Sequence, residues 1–227
     1  MRISAIITAA GSGSRFKKNG KNPLPKQFIK LNGKPVILYS LLAFQKCRHI
    51  DEIIISAPEK YFDMLHSIAV KNGITKLTCI TEGGKTRFES VRNAFFQADN
   101  SGKRLVMIHD AARPNIDIEL IDGLITGLKR YDGITPGIKI SETVKRTSNS
   151  VVTETIDRNN LFTIQTPQLF KYEALYSAYL KCGKRTDFTD EASLMEYAGY
   201  KIRLAEGKKD NIKITTPEDL KILRSVM

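Results

Sequence analysis

The stretch that decides the fold reads Ile3-Ser4-Ala5-Ile6-Ile7-Thr8-Ala9, and Ala10-Gly11-Ser12-Gly13-Ser14-Arg15 follows directly. Its first part is nearly all apolar, rich in isoleucine and free of polar alternation. A short run of this kind is typical of a strand buried on both faces, as in a parallel sheet. It is too short for a membrane span and lacks a signal-peptide cleavage pattern. We therefore predict a buried first strand that ends in a glycine-rich loop.

The same apolar signature recurs along the chain and alternates with helical periodicity. Further strands are predicted at residues 52–57, 76–80, 105–109 and 201–205. Helices are predicted at residues 35–45, 60–70, 87–98, 119–131, 172–181 and 191–198, with a closing helix from Pro217 that Thr216 caps. Alternating strands and helices imply right-handed crossovers. The expected fold is an α/β, Rossmann-like, mostly parallel sheet with helices on both faces.

The pattern breaks between residues 137 and 158, where valines are scattered among Thr, Ser, Glu and Lys. Residues 147–150 read as a turn between two polar strands. A two-stranded ribbon is marginal on its own in water. We therefore predict one domain over residues 1–227 with a projecting β-hairpin arm at about 138–160, which packs on a second subunit.

Composition narrows the function classes. The 227-residue chain carries a formal net charge of +12, which raises the possibility of nucleic-acid binding. Its basic residues are spread without a dense block, so no specific nucleic-acid partner is expected. Cys47, Cys79 and Cys182 are few and widely spaced. A disulfide framework is therefore not expected, and a reducing cytoplasm fits.

The glycine-rich loop predicts a phosphate site, because ligands bind at the carboxyl ends of strands in open α/β sheets. The dinucleotide fingerprint fails, since Phe16 stands where its third glycine belongs. A P-loop at Gly84-Lys85-Thr86 fails as well, because its first glycine falls on Cys79. A nucleotidyltransferase loop remains, in which Arg15 and Lys26 would stabilise the charge of a phosphoryl-transfer transition state.

Several blocks of sequence, in order, resemble the 2-C-methyl-D-erythritol 4-phosphate cytidylyltransferase family. After the loop come Pro25-Lys26-Gln27-Phe28, His109-Asp110-Ala111-Ala112-Arg113-Pro114, Glu142-Thr143-Val144-Lys145, Asp157-Arg158-Asn159, Gln165-Thr166-Pro167-Gln168, Thr189-Asp190-Glu191-Ala192-Ser193 and Asn211-Ile212-Lys213-Ile214-Thr215. The resemblance implies the fold of nucleotide-diphospho-sugar transferases and a homodimer. It also implies attack of a polyol phosphate on the α-phosphorus of CTP with a divalent metal such as magnesium and no covalent enzyme intermediate. The pathway implied is non-mevalonate isoprenoid biosynthesis.

The resemblance also assigns expected roles by position. Catalytic roles fall on Arg15, Lys26, Arg158 and Lys213. Nucleotide contacts fall on Ala10, Gly11, Ser12, Gly13, Gly84, Ser90, Asp110 and Ala111. Acceptor contacts fall on Arg113, Thr143, Arg158, Thr166 and Lys213, of which Thr143 and Arg158 would reach the partner subunit's site. The magnesium ion would be held mainly by the CTP phosphates, with no firm protein ligand.

The chain departs from the family pattern at two places. The stretch over residues 16–25 is longer, and Lys85 stands where an acidic residue helps to read cytosine in the family. Ribitol 5-phosphate is the alternative acceptor, although Ala111-Ala112 favours methylerythritol phosphate. A non-catalytic nucleotide-binding protein is the alternative from another class. Outside the assigned site, His109 is expected to be a structural histidine, and Asp190 and Glu191 fit the start of a helix as well as they fit a catalytic role.

Overall fold

The apolar run at residues 3–9 forms a strand at the centre of the molecule, as predicted. The computed structural model describes residues 2–11, 13, 16, 24–98 and 104–227. Within this part of the chain the strands are β1 (Arg2–Thr8), β2 (Lys30–Leu31), β3 (Lys34–Pro35), β4 (Glu52–Ala57), β5 (Leu77–Glu82), β6 (Arg104–Asp110), β7 (Gly133–Lys139), β8 (Val144–Ser148), β9 (Val151–Ile156), β10 (Phe162–Ile164), β11 (Gln168–Lys171) and β12 (Ile202–Glu206). The helices are α1 (Val36–Lys46), α2 (Phe62–Lys71), α3 (Arg87–Phe95), α4 (Ile118–Leu128), α5 (Tyr172–Lys181), α6 (Glu191–Tyr197) and α7 (Pro217–Val226).

The central sheet has the strand order β10-β7-β11-β6-β1-β4-β5, and β12 also pairs with β7. The pairs that β1 makes with β4 and β6 are parallel, as are those of β4 with β5 and of β12 with β7. The β10 and β11 pairings are antiparallel. Because β1 and β6 run parallel and adjacent, their carboxyl ends place Thr8 opposite Asp110 at one edge of the sheet.

Helices cover both faces of this sheet, which confirms the predicted α/β architecture. On one face, Ile3, Ala5 and Ile7 join a core cluster with the apolar sides of α1, α2 and α4. On the other face, Ile6 joins a cluster built with α3, α5 and α6. Alternate residues of β1 thus enter opposite cores, as a strand buried on both faces requires. Among the described residues, no helix combines the length and apolar character that crossing a bilayer requires.

Three strands of the central sheet escape sequence-based prediction. The structure places Gly133–Lys139 in this sheet as β7, although its later residues were assigned to the polar arm. Pro136 and two glycines interrupt its apolar pattern, which hides a strand whose first five residues are buried. The strands β10 and β11 are only three and four residues long, too short for a periodic signal.

The pairing of β8 with β9 makes a separate two-stranded sheet inside the predicted arm range. Its turn lies at Asn149 and Ser150, whose φ angles of 48° and 65° are those of a tight hairpin turn. This confirms the turn predicted at residues 147–150. Val151 and Val152 are 65% and 57% exposed, so the arm has no core of its own.

Candidate active site

A cavity of about 460 Å³ lies at the carboxyl ends of β1 and β6. Most of the predicted nucleotide-binding and catalytic residues that the structure describes come together in its lining. They are Ala10, Gly11, Gly13, Lys26, Gly84, Ser90, Asp110 and Lys213. Ser12 and Arg15, together with residues 17–23 of the long stretch, lie outside the described residues, so their predicted roles stay predictions.

Five other predicted residues do not belong to the described lining of this cavity. Ala111 is buried at 1% exposure, and its neighbour Ala112 lines the cavity instead. The guanidinium of Arg113 donates to the carbonyls of Asn211 and Ile164, at 2.7 and 3.3 Å. Thr166 is buried beside the cavity.

Thr143 and Arg158 lie within the arm on either side of the β8–β9 hairpin and are exposed in the single chain. The Arg158 guanidinium donates to the carbonyl of Ser141. Within one chain, therefore, the structure does not bring these two residues to the cavity.

The side chain of Gln27 holds the glycine-rich loop by hydrogen bonds to its backbone. The sequence assigned this residue no role. Its Nε2 donates to the carbonyls of Ala9 and Gly11 at 2.5 and 3.1 Å, and the side chain is 2% exposed. Carbonyls held on this side leave the loop free to turn N–H groups toward an anion. Gly13 has a φ of 66°, which a side chain would strain.

A second loop closes the other side of the cavity at Gly83 and Gly84. A Cβ on Gly83 would overlap the Cβ of Ala10, so the two loops approach as closely as a glycine permits. The Ser90 hydroxyl accepts from the Gly84 N–H at 3.0 Å and donates to the Thr86 carbonyl at 2.8 Å. The slot between the two loops is thus narrow, and the Ser90 hydroxyl links its Gly84 side to α3.

Asp110 is the charged centre of the site. Its Oδ1 accepts from Arg87 Nε at 3.0 Å and from the Thr8 hydroxyl at 3.2 Å, while Oδ2 accepts from Lys213 Nζ at 2.5 Å. Burial would raise the pKa of Asp110, but the charges of Arg87 and Lys213 outweigh burial and hold that pKa well below its usual range. Asp110 is therefore ionised at neutral pH, and both of its oxygens accept from cationic side chains.

His109 is a buried structural histidine, as predicted. Its Nε2 lies 3.0 Å from the Arg113 carbonyl, which can only accept, so Nε2 carries the proton. Its Nδ1 then accepts from the Thr166 hydroxyl at 3.0 Å, and that hydroxyl accepts from the Asp110 N–H at 3.0 Å. Burial lowers the pKa of His109 to about 4, so the ring is neutral at pH 7. Each donor in this chain of hydrogen bonds is therefore fixed, from the Asp110 N–H through Thr166 and His109 to the Arg113 carbonyl.

The segment that contains Lys213 closes the cavity from the other end of the sequence. Lys26 Nζ donates to the Ile214 carbonyl at 2.6 Å, and the Ile214 N–H donates to the Ala112 carbonyl at 2.8 Å. Lys26 itself lies in a short 3-10 turn, Lys26–Phe28. A contact between residues 188 positions apart thus fixes a predicted catalytic lysine.

The described lining is strongly cationic. Lys26, Lys85, Arg87 and Lys213 face it against a single carboxylate, that of Asp110. Across the described part of the chain, no three His, Cys, Asp or Glu side chains form a group suited to holding a metal ion. This arrangement favours a polyanionic ligand such as a triphosphate.

Comparison with known proteins identifies relatives over the whole chain. Residues 3–227 match the family model described as 2-C-methyl-D-erythritol 4-phosphate cytidylyltransferase. A protein of that name from Clostridium acetobutylicum is 40% identical over 219 residues, which cover 95% of this chain and 93% of the relative. One from Lachnospira eligens is 38% identical over 96% of both chains.

Solved structures agree with the sequence relatives. The crystal structure of 4-diphosphocytidyl-2C-methyl-D-erythritol synthase from Anaerococcus prevotii superposes with a TM-score of 0.85 at 30% identity, covering 99% of this chain and 95% of that one. The 2-C-methyl-D-erythritol 4-phosphate cytidylyltransferase of Francisella tularensis gives 0.82 at 31% identity, covering 100% of both chains.

Proposed function

Since the chain belongs to the 2-C-methyl-D-erythritol 4-phosphate cytidylyltransferase family, we propose that it converts CTP and 2-C-methyl-D-erythritol 4-phosphate to CDP-methylerythritol and pyrophosphate. The observation that carries this proposal is the cationic cavity where the glycine-rich loop, Asp110 and Lys213 meet. The activity belongs to isoprenoid biosynthesis by the non-mevalonate pathway.

In this reaction a phosphate oxygen of the acceptor attacks the α-phosphorus of CTP. A P–O bond forms as the bond to the bridging oxygen of the leaving pyrophosphate breaks. No group of the protein needs to form a covalent bond, so its part is to align the two substrates and to neutralise charge. Lys26 and Arg15 are proposed to stabilise the triphosphate as it expels pyrophosphate, and Lys213 to hold the acceptor phosphate.

The remaining contacts follow from placement around the cavity. The backbone of the glycine-rich loop, with Gly84 and Ser90, is proposed to receive the nucleotide. Thr166 and Arg113 lie next to the cavity and hold parts of its wall. The Thr166 hydroxyl accepts from the Asp110 N–H, and the Arg113 guanidinium donates to the Asn211 carbonyl, two residues before Lys213. Arg113 and Thr166 are proposed to contact the acceptor directly, and Ala111 to contact the nucleotide.

A magnesium ion fits this donor set when it arrives on the CTP phosphates. Magnesium in such sites is held by substrate phosphates and few protein carboxylates. The Asp110 oxygens already accept from Arg87 and Lys213, so the phosphates would supply most of the ligands. When bound, the ion would neutralise part of the triphosphate charge.

We further propose a homodimer in which the arm of each subunit completes the site of the other. The support is the exposed hairpin together with a groove of about 980 Å³ beside β7, β10 and β12. Phe162 and Leu204 line this groove and are 37% and 40% exposed. Arg158, at the base of the arm, would then bring a guanidinium fork to the acceptor phosphate. The cytoplasm is the proposed compartment, because the three cysteines are free thiols.

The activity is tested by pyrophosphate release from CTP and magnesium with each polyol phosphate in turn. We expect turnover with methylerythritol phosphate to exceed turnover with ribitol 5-phosphate by at least about tenfold in kcat/KM. Faster turnover with ribitol 5-phosphate would refute the acceptor. CTP binding without turnover on any acceptor would instead favour a non-catalytic nucleotide-binding protein.

The shared site is tested by co-expressing Arg158→Ala and Lys213→Ala subunits. If Arg158 acts in the partner's site, each mixed dimer keeps one intact site. Random pairing then restores about a quarter of wild-type activity from two inactive parents. No restoration in verified mixed dimers would place both residues in the same subunit's site.

A further inference from the structure

Arg87, which is partly buried, and Glu191, which is fully buried, form an ion pair beside Asp110. The sequence assigns Arg87 no site role and leaves Glu191 open between a helix start and a catalytic role. Arg87 Nη1 donates to Glu191 Oε2 at 2.8 Å, while Nε of the same guanidinium donates to Asp110 Oδ1 at 3.0 Å. The Glu191 side chain is 0% exposed and that of Arg87 is 25% exposed. One planar fork therefore joins a carboxylate in the core to the carboxylate of the cavity.

With Lys213 the pair makes a row of four alternating charges. The row runs from Glu191, the first residue of α6, through Arg87 and Asp110 to Lys213, whose Nζ lies 2.5 Å from Asp110 Oδ2. Each inner member touches one partner on either side. A displacement of Arg87 would therefore be passed to Asp110 and then to the ammonium of Lys213.

Local stability does not explain Arg87. Arg87 is the first residue of α3, where a cation opposes the helix dipole, and the helix already has a complete capping box from Thr86 and Glu89. Among the residues that the structure describes, Arg87 Nη2 and Glu191 Oε1 are buried and find no hydrogen-bond partner. Burial raises the pKa of Glu191 in spite of the charge of Arg87. A buried ion pair with unsatisfied atoms is poor evidence of stabilisation, since apolar residues often replace such pairs without loss.

We infer that Arg87 and Glu191 are positioning residues that fix Asp110, and through it Lys213, in the orientation that receives the acceptor. Glu191 accepts a hydrogen bond from the guanidinium on the side of the core. This contact fixes the plane of the guanidinium, and with it the direction in which Arg87 Nε donates to Asp110. This inference rests on the proposed function for the identity of the acceptor. Neither residue is assigned contact with the reacting atoms.

The test is the double variant Arg87→Met/Glu191→Met, which removes both charges together and leaves no unpaired buried ion. We expect its melting temperature to stay close to that of the wild type. We expect kcat/KM for the acceptor to fall by about tenfold or more, with a smaller change in CTP affinity. The single variant Arg87→Lys retains the charge without the planar fork. Its kcat/KM for the acceptor should lie between those of the wild type and the double variant.

A matched control is available at the start of β6, the strand that ends at Asp110. Arg104 and Glu52 form another buried Arg–Glu pair, with 3.7 Å between Nη1 and Oε1. The double variant Arg104→Met/Glu52→Met should leave kcat/KM for both substrates close to wild-type values. An equal loss in this control would show that the first double variant acts through general destabilisation and would overturn the inference.

A pH readout separates positioning from a purely structural role. Asp110 faces Arg87 from α3 and Lys213 and Arg113 from its other sides, with Glu191 and the neutral His109 nearby. Without Arg87, burial is opposed by fewer charges, so the pKa of Asp110 should rise. A carboxyl-carbon NMR titration of Asp110 without substrates should follow this rise, and the acid limb of kcat/KM should move to higher pH. An unmoved Asp110 titration, or wild-type kcat/KM in the folded double variant, would refute the positioning role. A wild-type enzyme without turnover would refute the proposed function and leave the NMR titration to decide this inference.

Discussion

The glycine-rich loop depends on Gln27, and the substitution Gln27→Met tests how strongly. Methionine has a similar length and shape but cannot donate to the carbonyls of Ala9 and Gly11. Loss of an ordinary hydrogen bond costs about 1 kcal/mol, and a carbonyl left buried without a donor costs about 1–3 kcal/mol. Gly11 is exposed, so its carbonyl regains water, whereas Ala9 is 1% exposed and its carbonyl does not. The sum is about 2–4 kcal/mol of lost loop order.

In the variant, the binding energy of CTP must supply part of these roughly 2–4 kcal/mol to order the loop. If about 2 kcal/mol is taken from binding, the dissociation constant of CTP rises about 30-fold. We expect this change in calorimetric titration with CTP and in the CTP KM, while the KM of the acceptor changes little. Gln168→Met is a matched control, because Gln168 is also fully buried and also donates twice, to Thr135 and Asp190. A CTP KM within about twofold of wild type in folded Gln27→Met would refute the reasoning.

Three further predictions concern stability. Asp219→Ala should lower the free energy of unfolding by about 1 kcal/mol at pH 7 in urea titrations. Although burial opposes it, hydrogen bonds from Thr215 and Thr216 lower the pKa of Asp219, so this difference should vanish as pH falls through that lowered pKa. Thr166→Val should cost about 2 kcal/mol, since it strands a buried N–H and the His109 ring, whereas Thr166→Ser should recover most of the loss. Because the pKa of His109 is lowered to about 4, the unfolded chain takes up a proton first, and stability should fall between about pH 6.5 and 4. Thermal unfolding of His109→Gln should lack that part of the pH dependence.

Local signals made most of the fold predictable. The strand β1 and its loop are contiguous in sequence, and an apolar run followed directly by glycines is typical of a buried strand that ends in a ligand-binding turn. The same holds for α7, where Thr216, Pro217 and Asp219 form the predicted N-terminus of the helix. The strand β7 was missed because a proline inside an apolar run argues against a strand, and Pro136 stands in the middle of this one. That its neighbours in the sheet accommodate this proline becomes visible only in the folded structure.

In the candidate site, too, the residues in local motifs were predictable and the long-range partnerships were not. Lys26, Asp110 and Lys213 lie in recognisable motifs, and the structure gathers them around one cavity. The partnership of Arg87 with Glu191 joins positions 104 apart, so no spacing rule could reveal it. A signal was present in Arg87 itself, since a cation in the first turn of a helix is locally unfavourable. Gln27 stood in a quoted motif, but its partners are backbone carbonyls that exist only once the chain has folded.

The contact between Lys26 and the Ile214 carbonyl has a consequence for biosynthesis. A growing polypeptide extended only to residue 210 has all of β1, its loop, Lys26 and Asp110, yet it has neither Lys213 nor the carbonyl that fixes Lys26. Such a nascent chain has the strands of the central sheet, but its cavity lacks the Lys213 ammonium and the Ile214 carbonyl that fixes Lys26. Competence to bind the triphosphate and the acceptor together therefore arises late in translation, after the scaffold that carries the site.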